Sequence, residues 1–558
     1  MARTIADRLD QLYEFEREPV SPAGLQGGAR FAGLYAGEHV AATEFVIGAL
    51  FVSWGARTTD VLYGLLIGNL LAVLSWALVC APIAIRTRLT LYWYLRRIAG
   101  PGVTALYNVL NAVLYCILAG SMITVSASAV RIPFGIPAQT GWLPADPGFV
   151  VVVLGVGAVV TVLAIWGFDK LSQFATLCSP WLIAMFVVGA LLTLPALAAA
   201  AGLPGIASWS DFRTVADGLV WTGTPAEGGE AVGMGQIAAL AWICNIAMHL
   251  GLSDMAILRY AKRASYGLYS ACGMFLGHYL AWIAAGVMGG AAALALRAPL
   301  TTLDSGQVAF EAAGLAGAVA VVIAGWTTAN PTLYRAGLAL QATLPGWPRW
   351  KVTLVAGALT TVVACSPFVF LRLLDFVAIY GILLAPVGGI VFVEHWLFAR
   401  LGLRQFWAEG RPFNWPALVA WLATSGAALV LWRLGTVNVF YLGVPAWLAG
   451  GVLYLLAAPL AGARAAGTVP PAATSVRPAL DPPPPGPRRP SLSTAGRIAA
   501  ILTVGSLIAC FAVALWTFLG EPAGHVERAA RAKHLLAWAS LLYFGAVVVW
   551  VRGRPAPS

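Results

Sequence analysis

AWICNIAMHLGLSD, at residues 241–254, places Asn245 and Asp254 in an otherwise apolar run. GEHVAATEFVIGAL, at residues 37–50, does the same with Glu44. An ionisable side chain near the centre of a lipid bilayer costs from about 2.5 to more than 10 kcal/mol, so such residues are rare there and mark functional sites. Both stretches lie in apolar runs long enough to cross a bilayer.

The composition is that of a protein with most of its mass inside a lipid bilayer. Of its 558 residues, 60% are hydrophobic and 10% are charged, whereas soluble globular domains have about 25% charged residues. So little polar surface excludes a soluble enzyme, and the high hydrophobicity excludes a disordered chain. The sequence contains no HExxH, GxSxG or phosphate-binding loop, and it therefore predicts a multi-pass membrane protein that is not an enzyme.

Fourteen apolar runs are close to the ~20 residues that a bilayer-crossing helix needs. The two polar stretches fall in the first and the sixth of these runs. The predicted spans are 31–56, 60–85, 103–129, 147–167, 173–197, 234–256, 266–295, 309–334, 351–371, 374–399, 416–434, 438–461, 496–519 and 534–551.

Basic residues are distributed unequally between the loops on the two sides of the membrane. Across the first twelve spans, 18 Lys and Arg residues lie on the side of the N-terminus and 6 on the other side. By the positive-inside rule, this distribution predicts a chain in the cell membrane with a cytoplasmic N-terminus, and an even number of spans returns the C-terminus to the cytoplasm. The net charge of +11 is therefore explained by topology rather than by a nucleic-acid partner.

A Pro-rich segment divides the chain. Residues 463–495 contain PPPPGPRRP and have little to bury, which is typical of an extended or disordered linker. The sequence thus predicts a cytoplasmic N-terminal segment at 1–30, a twelve-span body at 31–462, this cytoplasmic linker, and a two-span C-terminal appendage at 496–558.

The first and sixth spans are five spans apart, and each is interrupted near its middle. Corresponding interruptions indicate an inverted-repeat transporter that binds substrate and ion at the broken helices. The broken ends provide helix dipoles and free carbonyl groups for a polar solute and a cation. Thr327 and Thr328 in the eighth span add hydroxyl oxygens, which a small hard cation prefers. His278 has no charged neighbour in the sequence and is assigned to helix packing.

Four motifs resemble the nucleobase:cation symporter-1 family, which includes cytosine, purine, allantoin and hydantoin permeases. GWTTANPTLYRAGLALQ (325–341) is similar to the family's eighth-helix signature, and YGILLAPVGGIVFVEHWL (380–397) to the end of its tenth helix. Arg259 and Tyr260 match the Arg-Tyr-Ala after its sixth helix, and residues 66–100 resemble its second helix and the following loop. The resemblance covers roughly residues 30–460.

The resemblance implies an all-α, five-plus-five inverted repeat of the leucine-transporter type with two peripheral helices. It implies a sodium ion between the hydroxyls of Thr327 and Thr328 and carbonyls of the broken first helix, from Ala41 to Phe45. It also implies a nucleobase-like substrate held between helices 1, 3, 6 and 8. The substrate-site residues are predicted to be Glu44, Phe45, Tyr115, His249 and Asn330.

Two of these residues differ from the family pattern. Tyr115 stands where the family often has a stacking Trp, and Glu44 stands where relatives commonly have an apolar or amide residue. Glu44 has two interpretations: it accepts N–H groups of the substrate, or it carries the proton in a proton-coupled variant. Asp254 is a second candidate for coupling, and either sodium or a proton is the expected coupling ion, with no other cofactor.

The sequence therefore predicts a secondary-active symporter that moves a nucleobase or related small heterocycle by alternating access in a lipid bilayer. Two alternatives stay open at this point: a proton-coupled permease for another small polar solute, and a membrane receptor that binds its ligand without transporting it. The sequence does not define the exact substrate or the oligomeric state.

Overall fold

A computed structural model describes residues 14–344, 346–464, 493–521 and 524–552 of the chain. The regular structure of these residues is helical, apart from two isolated bridges that pair Gln26 with Ala261 and Arg57 with Thr222. Within the described ranges, eleven helices are long and apolar enough to cross a membrane. They are Thr58–Thr87, Leu91–Val130, Pro147–Ile165, Phe168–Ala200, Ala264–Leu296, Ser305–Thr343, Leu373–Leu401, Trp415–Arg433, Val439–Ala463, Thr494–Phe518 and His525–Val551.

Three further spans are shorter or broken. Span 1 consists of Gly28–His39 (span 1a) and Glu44–Ser53 (span 1b), and span 9 is Arg349–Ala364. Span 6 consists of three short helices, Met234–Ile243, Ile246–His249 and Met255–Leu258. With them, each of the fourteen predicted runs corresponds to helical structure, and the chain is a multi-pass membrane protein. Spans are numbered 1 to 14 in chain order below.

Corresponding features recur five spans apart, as in an inverted repeat. Spans 1 and 6 are both broken. Spans 2 and 7 each contain one wide helical turn, at Trp76–Cys80 and Met274–Tyr279. Spans 3 and 8 are the two longest helices, with 40 and 39 residues, and pack along each other.

Ion pairs at the span ends show which ends share a membrane side. Arg30 at the start of span 1 pairs with Asp169 at the start of span 5. At the other side, Arg131 after span 3 pairs with Asp304 before span 8, with 2.6 Å between Nη2 and Oδ2. These pairs agree with alternating helix directions, and the side on which span 1 begins is called the N-terminal side below.

Span 8 is longer than the sequence predicted. The predicted run of 309–334 ends too early, because the helix continues to Thr343 and includes Arg335. The charge of a guanidinium normally ends an apolar run, but here carboxylates inside the bundle compensate it. A hydropathy window covers only neighbouring residues, so it cannot detect carboxylates that lie far away in the sequence.

The two helices of the appendage pack against each other and against span 5. Ser540 of span 14 accepts a hydrogen bond from the Trp181 indole at 3.0 Å. The Tyr543 hydroxyl donates to the carbonyl of Leu177 at 2.7 Å. Two of the predicted segments lie partly outside the described residues. They are the linker, at residues 465–492, and the N-terminal segment, at residues 1–13.

Candidate functional site

The break in span 1 lies at residues 40–43, between its two helical halves. The region is buried, and it packs closely against span 7. A methyl group on Gly277 would overlap the carbonyl oxygen of His39, so that only glycine permits this approach. The last carbonyls of span 1a are thereby held in the interior of the bundle.

The break in span 6 has two parts, at 244–245 and at 250–254. Span 10 approaches it as closely as span 7 approaches the other break. A methyl group on Gly388 would overlap the carbonyl oxygen of Leu250. At each break, a glycine of a neighbouring span therefore packs directly against a backbone carbonyl group.

A buried ion cluster joins the two breaks to span 8. Arg335 contacts both carboxylate oxygens of Glu38, at 2.5 and 3.1 Å, and one oxygen of Asp254 at 2.5 Å. The second oxygen of Asp254 accepts hydrogen bonds from the Trp76 indole at 2.5 Å and the Tyr35 hydroxyl at 3.1 Å. The three charged side chains are at most 1% exposed. Spans 1, 6 and 8 are thus held together by charge-assisted hydrogen bonds in a dry environment.

Oxygen atoms of spans 1 and 8 meet beside this cluster. The Thr328 hydroxyl lies 2.8 Å from the Glu38 carbonyl oxygen and 3.1 Å from that of Ala324. The Thr327 hydroxyl also contacts the Ala324 carbonyl, at 3.0 Å. The carbonyl of Ala41 accepts the N–H group of the first residue of span 1b at 3.2 Å. The span 1 carbonyl in contact with Thr328 is therefore that of Glu38.

Glu44 begins span 1b, and its carboxylate faces span 7. One oxygen accepts a hydrogen bond from the Trp282 indole. The other oxygen lies 3.8 Å from Nε2 of His278. The same Nε2 atom lies 3.4 Å from the side-chain nitrogen of Asn245 in the break of span 6. His278 also stacks on Trp282, with ring centroids 4.3 Å apart.

An aromatic layer lies around the end of span 1a. The rings of His39 and His249 contact Trp76 of span 2 from different spans, with centroids 5.6 and 4.7 Å from it. His39 Nδ1 lies 2.9 Å from the carbonyl oxygen of Tyr35, and His249 Nε2 lies 3.0 Å from that of Trp242. Trp76 thus connects both breaks to the second span.

The remaining predicted site residues lie in different surroundings. The Tyr115 hydroxyl is 2.5 Å from that of Ser253, in the break of span 6. Asn330 is buried, and neither polar atom of its amide has a hydrogen-bond partner among the described residues. Phe45 is stacked on Phe186 of span 5, with centroids 4.3 Å apart, and contact with a substrate ring would require this stack to open.

Two central residues were not identified from the sequence. The predicted eighth span, 309–334, leaves Arg335 just outside it, although its position eight residues after Thr327 places it two helical turns from the predicted cation ligands. His278 was assigned to packing because its partners, Glu44 and Asn245, are distant in the sequence. No local pattern relates His278 to either of them.

Comparison with known families and with solved structures gives results at the level of the fold. No family model matches the chain, and no curated protein matches its sequence. Among solved structures, Mhp1, a nucleobase-cation-symport-1 family transporter in a closed conformation with bromovinylhydantoin bound, has a TM-score of 0.61 and 18% identity. The match covers 81% of this chain and 96% of that one. The fold predicted from the sequence is therefore confirmed.

A second solved structure supports the same fold. It is a Na⁺-coupled sialic acid symporter in a substrate-bound, outward-open state, with a TM-score of 0.60 and 13% identity. The match covers 82% of this chain and 93% of that one. Both solved structures are transporters. This chain therefore shares its fold with a member of the family that its motifs resemble.

Proposed function

We propose that this protein is a secondary-active symporter that couples the movement of a cation to that of a nucleobase-like heterocycle. The observation that carries the proposal is the meeting of the two broken spans at Arg335, beside the Thr328 hydroxyl of span 8. A solute or ion bound at either break would contact helices that belong to both repeats. Its binding energy can therefore favour one arrangement of the repeats over another, as alternating access requires.

The proposed cation ligands are the hydroxyls of Thr327 and Thr328 and the carbonyl of Ala41. The close approach of Thr328 to the Glu38 carbonyl adds that oxygen to the proposed set, and the Ala324 carbonyl lies within 3.1 Å of both hydroxyls. Hydroxyl and carbonyl oxygens suit a hard cation, and broken helices supply such carbonyls in transporters. We assign sodium to this position.

The proposed substrate site lies between the breaks and spans 3 and 8. Tyr115 would stack on the heterocycle, His249 would border it, and the unpartnered amide of Asn330 would recognise its polar edge. Glu44 and Phe45 would approach from span 1b. Buried polar groups that lack internal partners favour a ligand with donors and acceptors, because leaving them unpaired costs about 1–3 kcal/mol each.

Coupling is assigned to Asp254 and Glu44, one carboxylate from span 6 and one from span 1. Asp254 shares Arg335 with Glu38, so a shift of span 6 changes the contacts of span 1a. We place the transport body at 31–462, in the cell membrane, with both termini in the cytoplasm. The assignment to nucleobase-like substrates follows the sequence motifs, and Mhp1, which has the same fold, was solved with a hydantoin bound.

The test is uptake of labelled cytosine, uracil, hypoxanthine, allantoin and hydantoin into proteoliposomes. An inward sodium gradient and an inward pH gradient are applied separately, with gradient-free vesicles as the control. Accumulation of one compound above its external concentration supports symport. If no compound accumulates but one of them raises the melting temperature, the protein is a receptor for that compound and the proposal is wrong.

A further inference from the structure

His278 occupies a position that suits a proton carrier. It lies in the wide turn Met274–Tyr279 of span 7, directly opposite the break in span 1. Single wide turns of this kind occur frequently at functional sites. His278 is 3% exposed, and its Nδ1 atom has no hydrogen-bond partner among the described residues. The other ring nitrogen, Nε2, faces one polar group from each of the two broken spans. A histidine that served only for packing would not need such partners.

The Nε2 atom of His278 faces two groups with opposite requirements. Asn245 presents its amide nitrogen at 3.4 Å, and that group can only donate a hydrogen bond. Glu44 presents a carboxylate oxygen at 3.8 Å, and an ionised carboxylate can only accept one. A bare Nε2 atom therefore suits Asn245, whereas a protonated Nε2 atom suits Glu44.

We propose that His278 binds the coupling proton and that its Nε2 atom alternates between Asn245 of broken span 6 and Glu44 of broken span 1. Without the proton, Nε2 accepts the hydrogen bond of Asn245. When a proton from solution adds to Nε2, the new N–H group donates to Glu44 and the bond from Asn245 is lost. The proton later leaves from the same nitrogen, so only this N–H bond forms and breaks.

The groups around His278 are consistent with this assignment. Span 1 contributes Glu44 and the His39 ring, 5.4 Å from the His278 ring, and span 6 contributes Asn245 and Cys244 near Glu44. His39 donates through Nδ1 to a carbonyl oxygen, which leaves its buried Nε2 as a free acceptor among the described residues.

This inference rests on the proposed symport, and it adds a proton as a second coupling ion to the sodium ion assigned to Thr327 and Thr328. The main experiment compares wild-type protein, His278→Gln and Glu44→Gln in proteoliposomes with the five labelled compounds. We expect accumulation driven by a pH gradient to fall at least about tenfold in both variants, while exchange of labelled for unlabelled compound, which needs no net proton movement, remains detectable in His278→Gln. His395→Gln is the matched control, because His395 of span 10 is a partly buried histidine whose ring bonds Tyr94 of span 3; it should accumulate substrate like wild type.

Unchanged accumulation under a pH gradient in His278→Gln would overturn the proton assignment while leaving symport intact. Accumulation by wild type with sodium alone, and none with a pH gradient, would overturn it equally. If wild type neither accumulates nor exchanges any compound, the proposed symport is wrong.

A substrate-free measurement then decides on His278. The melting temperature of the full-length protein is recorded from about pH 4 to 8, a range that extends below the ordinary titration of histidine, because burial disfavours a charged ring. The His278→Gln curve should be flatter than those of wild type and His395→Gln. Superimposable curves would overturn the role of His278 in proton binding.

Discussion

Two buried glutamates on either side of the same break have different partners. Glu38, near the end of span 1a, holds both oxygens against the guanidinium of Arg335. Glu44, at the start of span 1b, has a Trp282 indole on one oxygen and His278 at 3.8 Å from the other. An arginine is always charged in proteins, whereas the charge of a histidine depends on whether it has bound a proton.

The comparison indicates a division of roles between the two sides of the break at residues 40–43. The Glu38 side has a permanent counter-charge and joins three spans, as a structural connection requires. The partner of Glu44, His278, can change its charge, and it also contacts Asn245 of the second broken span. The predictions below test this contrast, beginning with the largest effect.

Replacement of Arg335 by Met should have the largest effect on stability. It leaves Glu38 and Asp254 as buried carboxylates without a counter-charge, and loss of one partner of a buried pair costs about 3–5 kcal/mol. We expect a clear fall in the melting temperature of the purified protein. Arg372→Gln is the matched control, because Arg372 pairs with Asp375 at the surface, and such pairs contribute about 0–1 kcal/mol. Equal melting temperatures for the two variants would contradict the connecting role of Arg335.

The two glutamates should respond differently to the same change. Glu38→Gln replaces charge-assisted bonds to Arg335 and should cost about 1.5–3 kcal/mol. Glu44→Gln retains an oxygen that accepts the Trp282 indole, so the melting temperature should change by the equivalent of less than about 1 kcal/mol. It should instead flatten the pH dependence of uptake. If the two variants had the same stability and the same pH profile, the contrast between the glutamates would be wrong.

The fold could be predicted from the sequence because its determinants are local. Apolar runs of sufficient length predicted the spans, and the polar residues within 37–50 and 241–254 predicted the breaks in the first and sixth spans. These signals depend on hydropathy along one segment, which a single sequence records. The Pro-rich linker was also a local prediction, although it lies mostly outside the described residues.

The contacts of the site could be predicted only in part. Thr327 and Thr328 were identified by residue type, but the contact of Thr328 with Glu38 depends on how span 8 packs against span 1. Arg335 was placed outside the membrane because its two counter-charges lie 81 and 297 residues away. Contacts between separate spans are determined by tertiary packing. The hydropathy pattern along one helix contains no information about them.

Thr328→Ala examines the other contact of Glu38, that of its carbonyl. The substitution removes a hydrogen bond between spans 1 and 8, worth about 1 kcal/mol, and one proposed sodium ligand. We expect the sodium concentration for half-maximal uptake to rise about tenfold. Thr332→Ala is the control, because the Thr332 hydroxyl bonds the Thr328 carbonyl within the same helix; sodium dependence should be unchanged. A sodium response that is identical in wild type and Thr328→Ala would remove Thr328 from the proposed site.

Asp211 provides a carboxylate outside the membrane with which Glu44 can be compared. It lies in the capping box at the start of the helix Trp209–Val215, where the N–H group of Ala207 and the N–H and hydroxyl groups of Ser208 lower its pKa from the ordinary value of 3.8. Because the folded pKa is the lower one, its stabilising contribution is present above that ordinary value and is lost as the pH falls through the folded pKa.

Hydrogen exchange measures this smallest effect. Protection of residues 209–215, corrected for intrinsic exchange, should fall below about pH 4 in wild type, where the carboxylate of an aspartate takes up its proton. Asp211→Asn should lack this response, and it should leave the pH dependence of uptake near neutrality unchanged. If Asp211→Asn flattened uptake as Glu44→Gln does, any loss of negative charge would suffice, and the position of Glu44 opposite His278 would explain nothing.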